Sequence, residues 1–137
     1  MKETSAGAVI FRDNGDSKLY LLLRYPQGHW DFVKGKMDDG ESIRQTIIRE
    51  SEEETRIKDL EFIGGFEEEI RYDFEYRGET INKKVIFCLA RTQTKEITIS
   101  DEHEDFVWLN FDESLKKTTY ENSKSVLLKA EKLLASL

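Results

Sequence analysis

The chain has 137 residues, enough for one domain with a sizeable core, and carries 21 basic against 28 acidic side chains, a formal net charge of −7. That balance argues against a general nucleic-acid or anionic-membrane surface, both of which call for basic patches. It admits a small phosphate-bearing substrate, provided cations stand between the two acidic partners. The single cysteine, Cys88, lies in the apolar run V-I-F-C-L-A and reads as a buried structural thiol with no intramolecular disulfide open to it. The N-terminus has no signal-peptide layout, and no apolar run is long enough to span a membrane. A cytoplasmic protein with no membrane partner is expected.

Taken in order, Ala6–Phe11 reads as a strand and D-N-G-D at Asp13–Asp16 as a turn. Lys18–Arg24 is a second strand, apolar enough to be buried on both faces. The loop Y-P-Q-G-H-W-D-F-V-K-G-K follows, with a short extended piece at Trp30–Val33. A helix then starts at Ser42, whose capping box is completed by Gln45. Leu60–Tyr76 and Glu79–Thr92 read as long strands joined around R-G-E at Arg77–Glu79. Ile97–Ile99 and Phe106–Leu109 read as short strands. Tyr120–Leu134 has apolar residues at helical spacing (Val126, Leu127, Ala130, Leu133, Leu134) and is expected to be an amphipathic helix. The sum is a single domain over 1–137, of α/β (α+β) class, with a mixed sheet flanked by helices.

The helix after Ser42 carries the chemistry. On a wheel, Ile43, Ile47, Glu50 and Glu54 share one narrow stripe, Glu53 lies on its shoulder, and Glu52 lies on the far side. The stripe is apolar where it docks and anionic where it ends. An open, solvated glutamate face would cost only a few tenths of a kcal/mol in repulsion. These acids continue a core-facing stripe instead, where two charges about 4 Å apart repel by up to ~4 kcal/mol. They also crowd the helix C-terminus, the wrong end for the macrodipole. A divalent cation resolves the conflict. Mg²⁺ fits an oxygen-donor site shared with substrate phosphates, and Mn²⁺ fits as well. Glu50 and Glu54 are the first-choice ligands from the wheel. Arg49 stands ready to pair with Glu41 or a neighbouring acid and hold it in one rotamer.

Gly35, Glu41, Arg49, Glu50, Glu53, Glu54 and Ile57 fit the spacing G-x5-E-x7-R-E-U-x-E-E-x-G-U, with U apolar, over residues 35–57. By this box the chain resembles the Nudix hydrolases, which cleave a nucleoside diphosphate linked to another moiety with the aid of divalent metals. Two positions depart from the pattern: Ser51 stands where an aliphatic residue is usual, and Arg56 where glycine is usual. Further likeness to the asymmetric diadenosine tetraphosphate hydrolases lies in S-A-G-A-V-I-F, G-H-W-D-F-V-K-G-K, G-G-F-E-E-E-I-R-Y and S-D-E-H-E-D-F-V-W-L.

The resemblance implies a Nudix-type mixed β-sheet sandwiched between helices. It implies metal ligation by Glu50, Glu53 and Glu54, with the Gly35 carbonyl and Glu102 as further ligands. The catalytic set is then Arg49, Glu50, Glu53 and Glu102, with the general base falling to Glu50 or Glu102. Lys34, Lys36 and Lys84 are implied as phosphate contacts, and Tyr72 and Tyr120 as adenine stacks. His29 and His103 read as packing or hydrogen-bonding residues. The expected partner is a small nucleotide, not an extended nucleic acid, and the expected state is a monomer or weak dimer. RNA 5′ ends, nucleoside triphosphates and nucleotide sugars are rival substrates. A catalytically silent nucleotide-binding module is the rival of another class, although such a module should have lost its box carboxylates.

Overall fold

A computed structural model describes residues Met1–Leu137. The strands are β1 (Lys2–Asn14), β2 (Ser17–Arg24), β3 (Trp30–Asp31), β4 (Val33–Lys36), β5 (Glu61–Tyr76), β6 (Glu79–Arg91) and β7 (Asp105–Leu109). The helices are α1 (Ile43–Thr55), α2 (Phe111–Lys117) and α3 (Glu121–Ser136). All seven strands join one mixed sheet of order β3-β2-β1-β6-β5, with β4 also pairing β1 and β7 pairing β2. β1 and β6 run parallel from Lys2↔Asn82 to Phe11↔Arg91. The other edge of β1 is shared: Phe11–Asn14 pair with β2, and Ser5–Ala8 pair with β4. This split edge sets β4 against α1, with Gly35 under Glu50.

Alternation along the central strands builds two cores. Val9, Phe11, Tyr20, Leu22, Val85, Phe87 and Leu89 face α3, where they meet Val126, Leu127, Ala130 and Leu134. Ala8, Ile10, Leu21, Leu23, Val33 and Cys88 face α1, where they meet Ile47. β2 is thus buried on both faces, and Cys88 is the buried free thiol expected. Burying Ile47 completely contributes roughly 1.5–3 kcal/mol and anchors α1 to the sheet.

The start of α1 is as its residues dictate. Ser42 Oγ accepts from the Gln45 amide at 3.2 Å, and Gln45 Oε1 accepts from the Ser42 amide at 2.8 Å. The end keeps the left-handed geometry that glycine would adopt freely: Arg56 has φ 65° and ψ 14°, and its amide donates to the Glu52 carbonyl at 3.0 Å. For a residue with a Cβ that conformation costs about 1 kcal/mol. Part of the relief from glycine is offset by a freer unfolded chain. Arg56→Gly is therefore expected to raise Tm by about 1–4 °C with turnover unchanged. A calorimetric scan that finds no rise removes the strain argument. Ser51 is fully buried with its hydroxyl unpartnered, so the departure at that position is a small destabilising one, of order 1 kcal/mol.

Two expectations need correction. Ile97–Ile99 do not form a strand. Their segment is drawn to the open end of α1, where the Thr98 amide donates to the Thr55 carbonyl and the Ser100 amide to the Glu54 carbonyl, each at 3.2 Å. Those carbonyls have no partner inside the helix, so they take the amides that a neighbouring strand would have used. The second correction is α2, which the sequence reading passed over. It is capped by Asn110, whose side chain accepts from the Glu113 amide at 2.9 Å. It carries Asp112 and Glu113 in its first turn and Lys116 and Lys117 in its last, matching the helix dipole. The long hairpin turns tightly, at Arg77 (φ 50°) and Gly78 (φ 80°), as two positive φ values require in a two-residue loop.

Candidate active site

The acids at the end of α1 lean over β4. Gly35 has no side chain, and the Glu50 carboxylate fills that place; a Cβ on Gly35 would lie inside it. Arg49 then ties the cluster together. Its Nε and Nη2 donate to the two oxygens of Glu41 at 2.8 and 3.0 Å, a bidentate pair. Its Nη1 donates to Glu50 Oε1 at 2.7 Å, and Nη2 also donates to the Lys36 carbonyl at 3.0 Å. Glu41 further accepts from Thr46 Oγ1 at 2.8 Å and from the Asp38 amide at 2.9 Å. The Arg49 hydrogen bond, helped by the Asp38 amide, holds Glu41 down to about 2, so it stays ionised. Arg49 is thus a clamp that joins the loop before the helix, the helix itself and β4.

Glu54 is different. It is 3 % exposed, and its Oε1 has no hydrogen-bond partner. Burial pushes its pKa far above the carboxylate range; contact with Glu50 and the charges of Glu102 and Glu53 push it further. His103 Nε2 lies 3.3 Å from Glu54 Oε1, off-axis for a formed hydrogen bond, and burial lowers the pKa of that imidazole. Glu53 remains 60 % exposed in its side chain, with Arg49 Nη1 at 3.5 Å, and Glu102 is exposed on its loop. The structure therefore brings Glu50 and Glu54 together and leaves Glu53 and Glu102 at the rim. No three acidic or histidine side chains close on one point. A divalent cation fits this edge on two counts: a buried carboxylate, Glu54, with no lysine or arginine beside it, and a donor set made of hard oxygens.

A cleft of about 490 Å³ is lined by His29, Lys34, Tyr72 and Tyr120, among others. Three of the five residues expected to bind substrate thus line one cleft. Lys34 is 18 % exposed in its side chain and pairs with the buried Asp31 at 3.1 Å; Asp31 raises its pKa against the opposing effect of burial. Lys36 is exposed, with Nζ 3.9 Å from Glu3. By strand register Lys83 projects to the face of Tyr72 and Lys84 to the opposite face, beside Arg71. Lys83 is bound to Glu3 at 2.6 Å. Lys84 and Lys36 therefore stand outside the cleft.

Sequence reading missed Tyr25 and Asp31, and it missed the row of rings that links cleft to helix. Tyr120 meets His29 with centroids 5.2 Å apart; His29 stacks on Tyr25 at 4.8 Å and 5°. Tyr25 meets His103 edge-on at 4.6 Å. The available signal was the clustering of Tyr25, His29 and Trp30 in one loop, but a loop carries no period that would say which rings touch.

A mixed sheet split to seat a capped helix, with carboxylates at the helix end facing a glycine, defines the class. The NUDIX domain profile matches residues 1–130, and the chain belongs to that family. It is a Nudix hydrolase, and enzymes of this family generally use divalent metal ions on small nucleotide substrates. The chain is 33 % identical to the asymmetrical bis(5′-nucleosyl)-tetraphosphatase of Rattus norvegicus, over 96 % of this chain and 95 % of that one. It superposes on the crystal structure of a C. elegans Ap4A hydrolase binary complex with a TM-score of 0.83 and 29 % identity, covering 98 % and 99 % of the two chains. An RNA pyrophosphohydrolase of Pseudoalteromonas translucida is 35 % identical over 53 % of this chain and 42 % of its own length. No helix is long and apolar enough to cross a membrane.

Proposed function

We propose that the chain hydrolyses a dinucleoside polyphosphate, with diadenosine tetraphosphate giving ATP and AMP. The observation that supports this most is the row Tyr120–His29–Tyr25–His103, which runs from an aromatic cleft to Glu54. In this reading a base lies in the cleft against Tyr72 or Tyr120, and the phosphates run toward the acids of α1. Near-full-length similarity to asymmetrical tetraphosphatases points the same way.

In this reading Glu50, Glu53 and Glu54, with the Gly35 carbonyl and Glu102, hold Mg²⁺ or Mn²⁺. When bound, such ions neutralise phosphate oxygens and acidify a water. Lys34 meets a phosphate from the cleft wall, and Lys36 and Lys84 serve phosphates that extend past it. Arg49 acts through Glu50 by fixing its rotamer. The general base is Glu50 or Glu102; one Glu50 oxygen is already engaged by Arg49 at 2.7 Å, whereas Glu102 is exposed on its loop, which favours Glu102. The buried free Cys88 suits a reducing compartment such as the cytoplasm, and the reading needs only a monomer or weak dimer.

The test is a panel of dinucleoside polyphosphates, nucleoside triphosphates and triphosphorylated RNA with Mg²⁺, products resolved by ion-exchange chromatography. ATP plus AMP from the tetraphosphate is the expected result. Pyrophosphate release from RNA as the faster reaction would favour the second reading, which rests on the RNA pyrophosphohydrolase relative; the net charge of −7 weighs against a long RNA partner. Tyr120→Ala is expected to raise KM roughly tenfold with a smaller change in kcat, since base stacking of about 1–3 kcal/mol is ground-state binding. A loss confined to kcat would argue against a base platform.

A further inference from the structure

The segment after residue 96 does more than carry Glu102. The Ser100 amide is tied to the Glu54 carbonyl at 3.2 Å, and the His103 amide donates back to the Ser100 carbonyl at 3.1 Å. Inside that turn Ser100 Oγ accepts from the Glu102 amide at 3.3 Å and lies 3.2 Å from His103 Nδ1. Because Ser100 Oγ already accepts from the Glu102 amide, we take its hydroxyl as donor to Nδ1, which puts the proton of a neutral imidazole on Nε2. That nitrogen faces Glu54 Oε1 at 3.3 Å. The two side chains are 2 % and 3 % exposed, and neither atom has a hydrogen-bond partner. Tyr25 packs edge-on at 4.6 Å and blocks rotation of the imidazole; its own hydroxyl is held by the Phe32 carbonyl at 2.6 Å. The ring thus spends one nitrogen on Ser100 and aims the other at a carboxylate.

We propose that His103 is the positioning residue of Glu54. With the ring held by Ser100 and Tyr25, its Nε2–H donates to Oε1 once the Glu54 carboxylate turns to close the 3.3 Å gap. The donor fixes the carboxylate rotamer and leaves the other oxygen to a cation. This inference rests on the reading that Glu54 binds the metal.

The experiment is a Mn²⁺ titration of the nucleotide-free protein, followed by the EPR signal of the free ion. The variants are His103→Leu, His103→Gln, Ser100→Ala, Glu54→Gln and the His103→Leu/Glu54→Gln double substitution, each checked for folding by near-UV CD. His103→Leu is expected to weaken Mn²⁺ binding by about tenfold or more and to lower kcat with nucleotide KM little changed. His103→Gln places an amide N–H where Nε2 stood and should keep affinity within about threefold of the parent, with Ser100→Ala in between. The double variant should bind no more weakly than Glu54→Gln alone, because the donor acts only through that carboxylate. Wild-type affinity in His103→Leu, or additive losses in the double variant, overturns the proposal. So does a His103→Gln loss as large as that of His103→Leu, since a glutamine that cannot substitute means the ring itself is the ligand. Should His103→Leu fail to fold, His103→Gln and Ser100→Ala decide the matter. Wild-type Mn²⁺ affinity in Glu54→Gln would instead remove the metal reading itself, whatever the histidine variants do.

Discussion

Glu54→Gln is expected to abolish hydrolysis and, in the absence of metal, to make the protein more heat-stable. The side chain is 3 % exposed and no cation of the chain reaches it; Arg49 is spent on Glu41, Glu50, Glu53 and Asp38. A buried carboxylate without a compensating cation opposes folding. Burial, then Glu50, raises its folded pKa far above the ordinary 4.5, so the metal-free protein takes up a proton on folding. The sign follows from linkage: the native state binds more protons, so stability falls as pH rises from the unfolded pKa towards the raised one. An amide cannot ionise and removes that slope. At pH 8.5 in EDTA the gain should be on the order of 1–3 kcal/mol, a Tm higher by roughly 5–10 °C. Saturating Mg²⁺ should narrow the gap, because it stabilises only the protein that binds it. Melting curves at pH 6 and 8.5, with EDTA and with Mg²⁺, make the comparison. A variant that melts below the parent at pH 8.5 in EDTA contradicts the buried-charge argument, and near-normal turnover removes Glu54 from the metal site.

What the sequence disclosed follows how local each interaction is. The capping box lies within Ser42–Gln45, and the docking stripe of Ile43, Ile47, Glu50 and Glu54 repeats every three or four residues, so spacing alone revealed both. The cleft tyrosines came from likeness to a family; nothing in the spacing of Tyr72 and Tyr120 says that they line one cleft. Glu54 and His103 meet only because residues 97–100 bind the open end of α1, and no periodic signal records that docking. The same docking explains Ile97–Ile99: the alternation was real, and Ile97 and Ile99 do pack on the core, but their backbone found helix carbonyls before it found a strand. α2 is too short for a hydrophobic period to emerge. Its Asn110 cap and its ordered charges were legible and were the signal to use.

Gly35→Ala is expected to cost about two orders of magnitude in kcat with little loss of Tm. The added Cβ would fall within the Glu50 carboxylate, so that group must swing away. Glu50 is the far end of a flexible side chain, so the fold can accommodate the swing, and Gly35 does not hold a positive φ that alanine would resist. What cannot be accommodated is the position of the acid. Glu50 is bound to Arg49, and Arg49 to Glu41 and the Lys36 carbonyl, so a displaced carboxylate leaves its clamp. On the proposed reading Glu50 holds the cation, and a shift of about 1 Å in such a group is worth about a hundredfold in rate. Gly7→Ala is the control on the neighbouring strand. Its Cβ would meet the Val33 carbonyl at 2.5 Å, Lys34 Cβ at 2.7 Å and the Phe87 ring at 2.9 Å, all backbone or packed core that cannot swing aside. That substitution should lower Tm by several degrees, as overpacking of roughly 1–3 kcal/mol implies. Loss of rate without loss of Tm at position 35, and loss of Tm at position 7, would separate a glycine kept for Glu50 from one kept for the sheet. A Gly35→Ala protein that turns over normally would mean that Glu50 works equally well from elsewhere, and the clamp would lose its purpose.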